Sequence, residues 1–156
     1  MCLMFENWTR VTNIDLSSFN TENVSDFCAM FNGCNNVQFI DVSSFKTPKV
    51  ENMSYMFTGC EKLLELSITG FSKENLQKAE GMFADCMSLA IINANYKFDL
   101  SMLSEDNISQ PMFKDCVNLT GFSPEHTGIE MAKPKTEGGY FTPKGKKLEN
   151  VSLMDM

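Results

Sequence analysis

The dipeptide Met-Phe returns at Met4, Met30, Met56, Met82 and Met112, in steps of 26, 26, 26 and 30 residues, which restricts the chain to architectures built from stacked units. The same offset relates Val11, Val37, Leu63 and Leu89; Ile14, Ile40, Leu66 and Ile92; Leu16, Val42, Ile68 and Ala94; and Phe19, Phe45 and Phe71. A unit of this kind has an apolar side that only its neighbours can cover, so stability must come from stacking.

Within each unit, apolar residues take the first, fourth and sixth positions of a short stretch, as in Val37, Ile40 and Val42 or Leu63, Leu66 and Ile68. The alternation turns Ile40 and Val42 inward and Phe39 and Asp41 outward, the leucine-rich-repeat strand pattern. Val50, Met53, Met56, Phe57 and Cys60 then recur at three- and four-residue steps, which predicts one face of a helix. Thr47-Pro48 reads as its start and Gly59 as its end. The expected fold class is therefore α/β: a leucine-rich-repeat solenoid of about four to five strand–helix coils of 26 residues, covering residues 1–122. Strands need about 4.8 Å of spacing and helices roughly 8–10 Å, which predicts a short curved stack with a parallel sheet on its concave face. Residues 123–156 fall outside the repeat, as a C-terminal cap or tail.

A net charge of -7 argues against nucleic acid and anionic membrane surfaces as partners. No run approaches the roughly 18 consecutive apolar residues of a membrane helix. The opening Met1-Cys2-Leu3-Met4-Phe5 is too short for the apolar region of a signal peptide.

Two stretches carry a family resemblance: Met56-Phe-Thr-Gly-Cys60-Glu-Lys-Leu63, and Ile40-Asp-Val-Ser-Ser-Phe45-Lys-Thr-Pro-Lys-Val50-Glu-Asn-Met53. From Met4 to Phe122 the chain resembles the BspA-like leucine-rich-repeat surface proteins, which include mycoplasma lipoproteins of the DUF285 type. The unit after Met82 departs from the pattern, reading Asn93-Ala-Asn-Tyr96-Lys-Phe98 and running four residues longer. The resemblance implies an extracellular or cell-surface protein of adhesion and host contact. With no signal peptide visible, cytoplasmic and virion-associated locations stay open.

The residues that invite a chemical reading have simpler roles. Cys34, Cys60, Cys86 and Cys116 share one column and read as a buried ladder, since Cys-x-x-Cys ligand spacing is absent. Met30, Met53, Met56 and Met82 fall on repeat columns and read as core. His126 sits in a turn-like stretch beyond the repeats. The segment from Gly139 to Lys147 lacks the Ser or Thr and the spacing of a phosphate loop. Asn-x-Ser/Thr triplets begin at Asn7, Asn23, Asn52, Asn107, Asn118 and Asn150, and follow from the Asn- and Ser-rich turns of the repeat. No catalytic residue, metal ligand or cofactor is expected.

Stacking aligns the outward strand positions into two rows: Asn13, Phe39, Glu65 and Ile91; and Asp15, Asp41, Ser67 and Asn93. These eight form the candidate binding surface, with Phe39 and Ile91 as apolar contacts and the acids orienting a basic partner. Two functions fit. One is a non-catalytic module recognising a protein or glycan through this face. The other is a structural subunit of a surface layer or virion, held through its stack ends and tail. The first unit starts at Met4-Phe5 with no preceding coil, so self-association or a partner chain is expected to cover Trp8, Val11, Ile14 and Leu16.

Overall fold

A computed structural model of the chain describes residues 1–106 and 109–145. Its regular elements are five short strands: β1 (Asn13–Asp15), β2 (Phe39–Asp41), β3 (Glu65–Ile68), β4 (Ile91–Asn95) and β5 (Phe141–Lys144). All pairing between them is parallel, in two sheets, β1-β2 and β3-β4-β5. The repeat sets the register: Ile14 lies opposite Ile40, and Leu66 opposite Ile92. These four side chains are buried, and their outward neighbours are exposed or half-buried.

The strand–helix solenoid expected from the sequence does not form. Among the described residues there is no α-helix; the only helical turns are two 3-10 segments, Ile129–Met131 and Lys135–Glu137, both beyond the repeats. The reason lies in two columns of left-handed backbone. Leu3, Ala29, Tyr55 and Gly81 have φ of 60°, 52°, 59° and 57°. Four residues further on, Asn7, Gly33, Gly59 and Asp85 have 58°, 78°, 75° and 60°. A left-handed residue in every fourth place breaks the i to i−4 bonding of an α-helix. The chain instead makes consecutive tight turns and shares its N–H groups between two directions. Met30, Asn32 and Cys34 donate backward within the unit to Phe27, Ala29 and Phe31, at 3.2, 3.2 and 3.1 Å. Ala29, Phe31 and Gly33 donate forward to the carbonyls of Ser54, Met56 and Thr58 in the next unit, at 2.9, 2.8 and 2.8 Å.

Three further expectations change with this. The predicted curvature required helices spaced more widely than strands, and here backbone hydrogen bonds space both sides of the unit. The single concave sheet is replaced by two sheets that break between β2 and β3. Thr47 caps no helix: its hydroxyl donates to the Ser72 carbonyl at 3.0 Å and accepts the Ser72 N–H at 2.8 Å, standing in for a backbone rung between units. Thr21 does the same one unit earlier with Lys46.

The core is a set of side-chain columns. Phe5, Phe31, Phe57, Phe83 and Phe113 stack with centroids 5.3–5.7 Å apart and rings within 11° of parallel. Beside them Cys34, Cys60, Cys86 and Cys116 are buried free thiols, as their shared column predicts. Each donates to the Phe carbonyl of the preceding unit, at 3.1, 3.4, 3.1 and 2.9 Å, as a second donor to a carbonyl that already accepts a turn N–H, from Trp8, Cys34, Cys60 and Cys86 in turn. Burial pushes the Cys34, Cys86 and Cys116 thiols above their ordinary range.

Beyond Phe122 the chain folds back on the last unit. The Phe113 N–H donates to the Thr127 carbonyl at 2.8 Å, the Tyr140 ring meets Phe113 edge-on at 5.1 Å, and β5 pairs with β4. Glu105 ties this segment down by accepting the N–H groups of Met112 and Ile129, at 2.8 and 3.1 Å.

Far-UV circular dichroism is expected to lack the α-helical double minimum; its presence would contradict the turn ladder. Gly59→Val, which places a branched side chain at φ of 75°, is expected to lower stability in a denaturant titration by about 1–2 kcal/mol. Native thiol labelling is expected to be fast at exposed Cys2 and slow at Cys34, Cys60, Cys86 and Cys116, and rapid modification of Cys60 would show the ladder open.

Candidate functional site

The eight outward residues divide along the break between the sheets. Asn13 and Asp15 on β1 lie opposite Phe39 and Asp41 on β2. Glu65 and Ser67 on β3 lie opposite Ile91 and Asn93 on β4. Between β2 and β3 is an open groove of about 460 Å³, lined by Gln38, Phe39, Asp41, Ser43, Leu64, Glu65 and Ser67. Four predicted residues, Phe39, Asp41, Glu65 and Ser67, therefore share one concavity. Asn13 and Asp15 flank it on one side, Ile91 and Asn93 on the other.

Alternation along short strands explains who faces the groove. Val37 and Ile40 turn into the core and leave Phe39 outward and 53% exposed; Leu63 and Leu66 do the same for Leu64, which is 58% exposed. Leu64 was not among the predicted residues. Its signal was the doubled leucine at 63 and 64, of which one must face out. Two large exposed apolar side chains thus border a groove lined otherwise by Ile40 and by polar side chains, an arrangement solvent does not favour.

The acids have unequal freedom. Asp15 Oδ1 accepts the Ser17 N–H and Asp41 Oδ1 the Ser43 N–H, both at 2.9 Å, closing the turn after each strand. Ser17, through its hydroxyl and its N–H, holds the Asp15 carboxyl below its ordinary 3.8. Glu65 makes no such turn. Its Oε1 accepts from the Asn93 amide at 2.9 Å, which aims the carboxylate along the face. Glu65 is the better placed acid for a basic ligand group, because no turn depends on it.

Other sequence features fall elsewhere. His126 is exposed on the C-terminal segment, where its carbonyl accepts from the Tyr140 hydroxyl at 2.7 Å. Tyr140 itself is buried core, and Lys146 and Lys147 lie outside the described residues, as do the triplet positions Asn107 and Asn150. Asn52 Oδ1 accepts the Ser54 N–H at 2.9 Å, so this residue serves the stack. Among the described residues, the one cluster of ligand atoms suited to a metal is remote from the groove, on the first two units. No helix among the described residues is long and apolar enough to cross a membrane.

Residues 1–96 match the family described as "Mycoplasma protein of unknown function, DUF285". That is more than half of the 156 residues, and the chain belongs to this family. The matched region includes every residue lining the groove. No curated protein and no solved structure matches the chain.

Asp41→Ala removes a turn acceptor and is expected to cost about 0.5–1.5 kcal/mol of stability. Phe39→Ala, on an exposed side chain, is expected to stay within about 0.5 kcal/mol of wild type. Denaturant titrations of both variants check this, and the reverse ranking would place Phe39 in the fold.

Proposed function

We propose that the chain is a non-catalytic binding module that takes a protein or glycan partner in the groove between β2 and β3. The observation that carries this reading is the exposure of Phe39 and Leu64 on one groove, with Glu65 beside them. Interface anchors are typically large apolar or aromatic side chains on a rigid support, ringed by polar groups. An aromatic face of this kind suits a sugar ring or an apolar side chain, and the carboxylates suit an adjacent Lys, Arg or hydroxyl. The resemblance of the repeat to BspA-like surface proteins supports a location outside the cell and a role in adhesion.

A second reading, a subunit held in a larger assembly through the end of its stack, is favoured by Leu3, Met4 and Trp8, all exposed on the first unit. Trp8 meets Phe5 edge-on at 4.7 Å and covers the end of the phenylalanine column.

Binding is tested on panels of immobilised glycans and extracellular-matrix proteins with wild type, Phe39→Ala, Leu64→Ala and Lys62→Ala. Each groove variant is expected to weaken a wild-type hit by about 2 kcal/mol, and Lys62→Ala to leave it unchanged. Unchanged affinity in both groove variants would remove the groove from the site. Sedimentation separates the readings: self-association abolished by Trp8→Ala and untouched by Phe39→Ala would favour the assembly subunit.

A further inference from the structure

The 26-residue offset that builds the thiol ladder also relates Cys2 to Cys28, in a different column and at the surface. Cys2 is exposed and Cys28 half-buried, and both are free. Asp26 joins them: one ligand atom from each of Cys2, Asp26 and Cys28 lies within 4.8 Å of the other two. We propose that Cys2, Asp26 and Cys28 form a binding site for a thiolate-seeking divalent metal ion of the zinc class, with solvent in the fourth position.

The geometry is close to what such an ion needs. Tetrahedral zinc with metal–sulfur bonds of about 2.3 Å holds two sulfurs roughly 3.8 Å apart, so small side-chain rotations close the site. The backbone beneath is fixed by the stack. The Leu3 N–H donates to the Cys28 carbonyl at 3.0 Å, and the Phe27 N–H to the Asn52 carbonyl at 2.9 Å. Asp26 Oδ1 accepts the Cys28 N–H at 2.7 Å, which orients the carboxylate toward the thiols. The Asn52 side chain beside Cys28 favours its thiolate, as outer partners of metal ligands do.

Burial pushes the Cys28 thiol up to about 11, and Cys2 and Asp26 add to the rise. A divalent ion reverses that balance by displacing both thiol protons, so binding at neutral pH releases two protons per ion into solution. Cys34, Cys60, Cys86 and Cys116 offer no competing site, because each thiol is buried and aimed at a carbonyl. The ion would clip the first unit to the second beside the backbone rungs that already join them.

The test uses the full chain, reduced and metal-free, titrated with Co(II) alone and then with Zn(II) against a chromophoric chelator. A thiolate-to-Co(II) charge-transfer band saturating at one equivalent, displaced by Zn(II) with release of two protons, is the expected result. Cys2→Ser and Cys28→Ser are each expected to weaken binding at least about 100-fold, and Asp26→Asn about tenfold. Cys60→Ala is expected to bind like wild type. Cys2→Ser alters an exposed residue at the rim of the stack and keeps the test independent of folding, which thermal melts of the metal-free variants verify. Absence of the band, or a band of full affinity in both cysteine variants, would overturn the site.

Discussion

In the first three turn segments, an N–H that leaves its own unit meets a carbonyl 25 residues further on, as Phe5 does with Met30 and Phe31 with Met56, and from Phe83 to Met112 the step is 29. The remaining N–H groups close tight turns inside the unit. That division satisfies buried backbone without a helix, and only where every fourth residue adopts a left-handed conformation. The phenylalanine column, the thiol column and the bridging threonines all follow from it, because they fill the spacing that these rungs impose.

The repeat, its strand register and its buried columns were legible in the sequence, since period-two alternation and the 26-residue offset leave little freedom for Ile14, Ile40, Leu66 and Ile92. The helix was not, and the reason is physical. A run of turns with left-handed residues four apart buries Met53, Met56, Phe57 and Cys60 at the same three- and four-residue steps as a helix face. Periodicity alone does not separate the two. The distinguishing signal was in another column: Asn7, Gly33, Gly59, Asp85 and Asp115 are residue types that tolerate positive φ and make poor helix interiors.

The candidate site was legible in part. Outward alternation placed Phe39 and Glu65 correctly on the surface, but a break between sheets has no sequence signature, and the groove exists because β2 and β3 do not pair. Leu64 belongs to the groove for the same reason. Asp15 and Asp41 looked like ligand contacts, and each has an oxygen committed to closing its turn. The Cys2–Cys28 column was hidden differently: a spacing of 26 resembles no ligand motif until the stack brings successive units into register.

The longer fourth unit shows what such a stack tolerates. Its four additional residues enter between Asn95 and Met112, after the strand register has closed and before the turn rungs resume at Phe83 and Met112. A single residue inserted between Ala29 and Gly33 would take the second left-handed place away from Gly33, and this unit's rungs to Met56 and Thr58 would fall out of register. Length in this protein is consequently quantised. Whole units can be gained or lost, loops can lengthen at the corners, and the ladder segments admit no intermediate size.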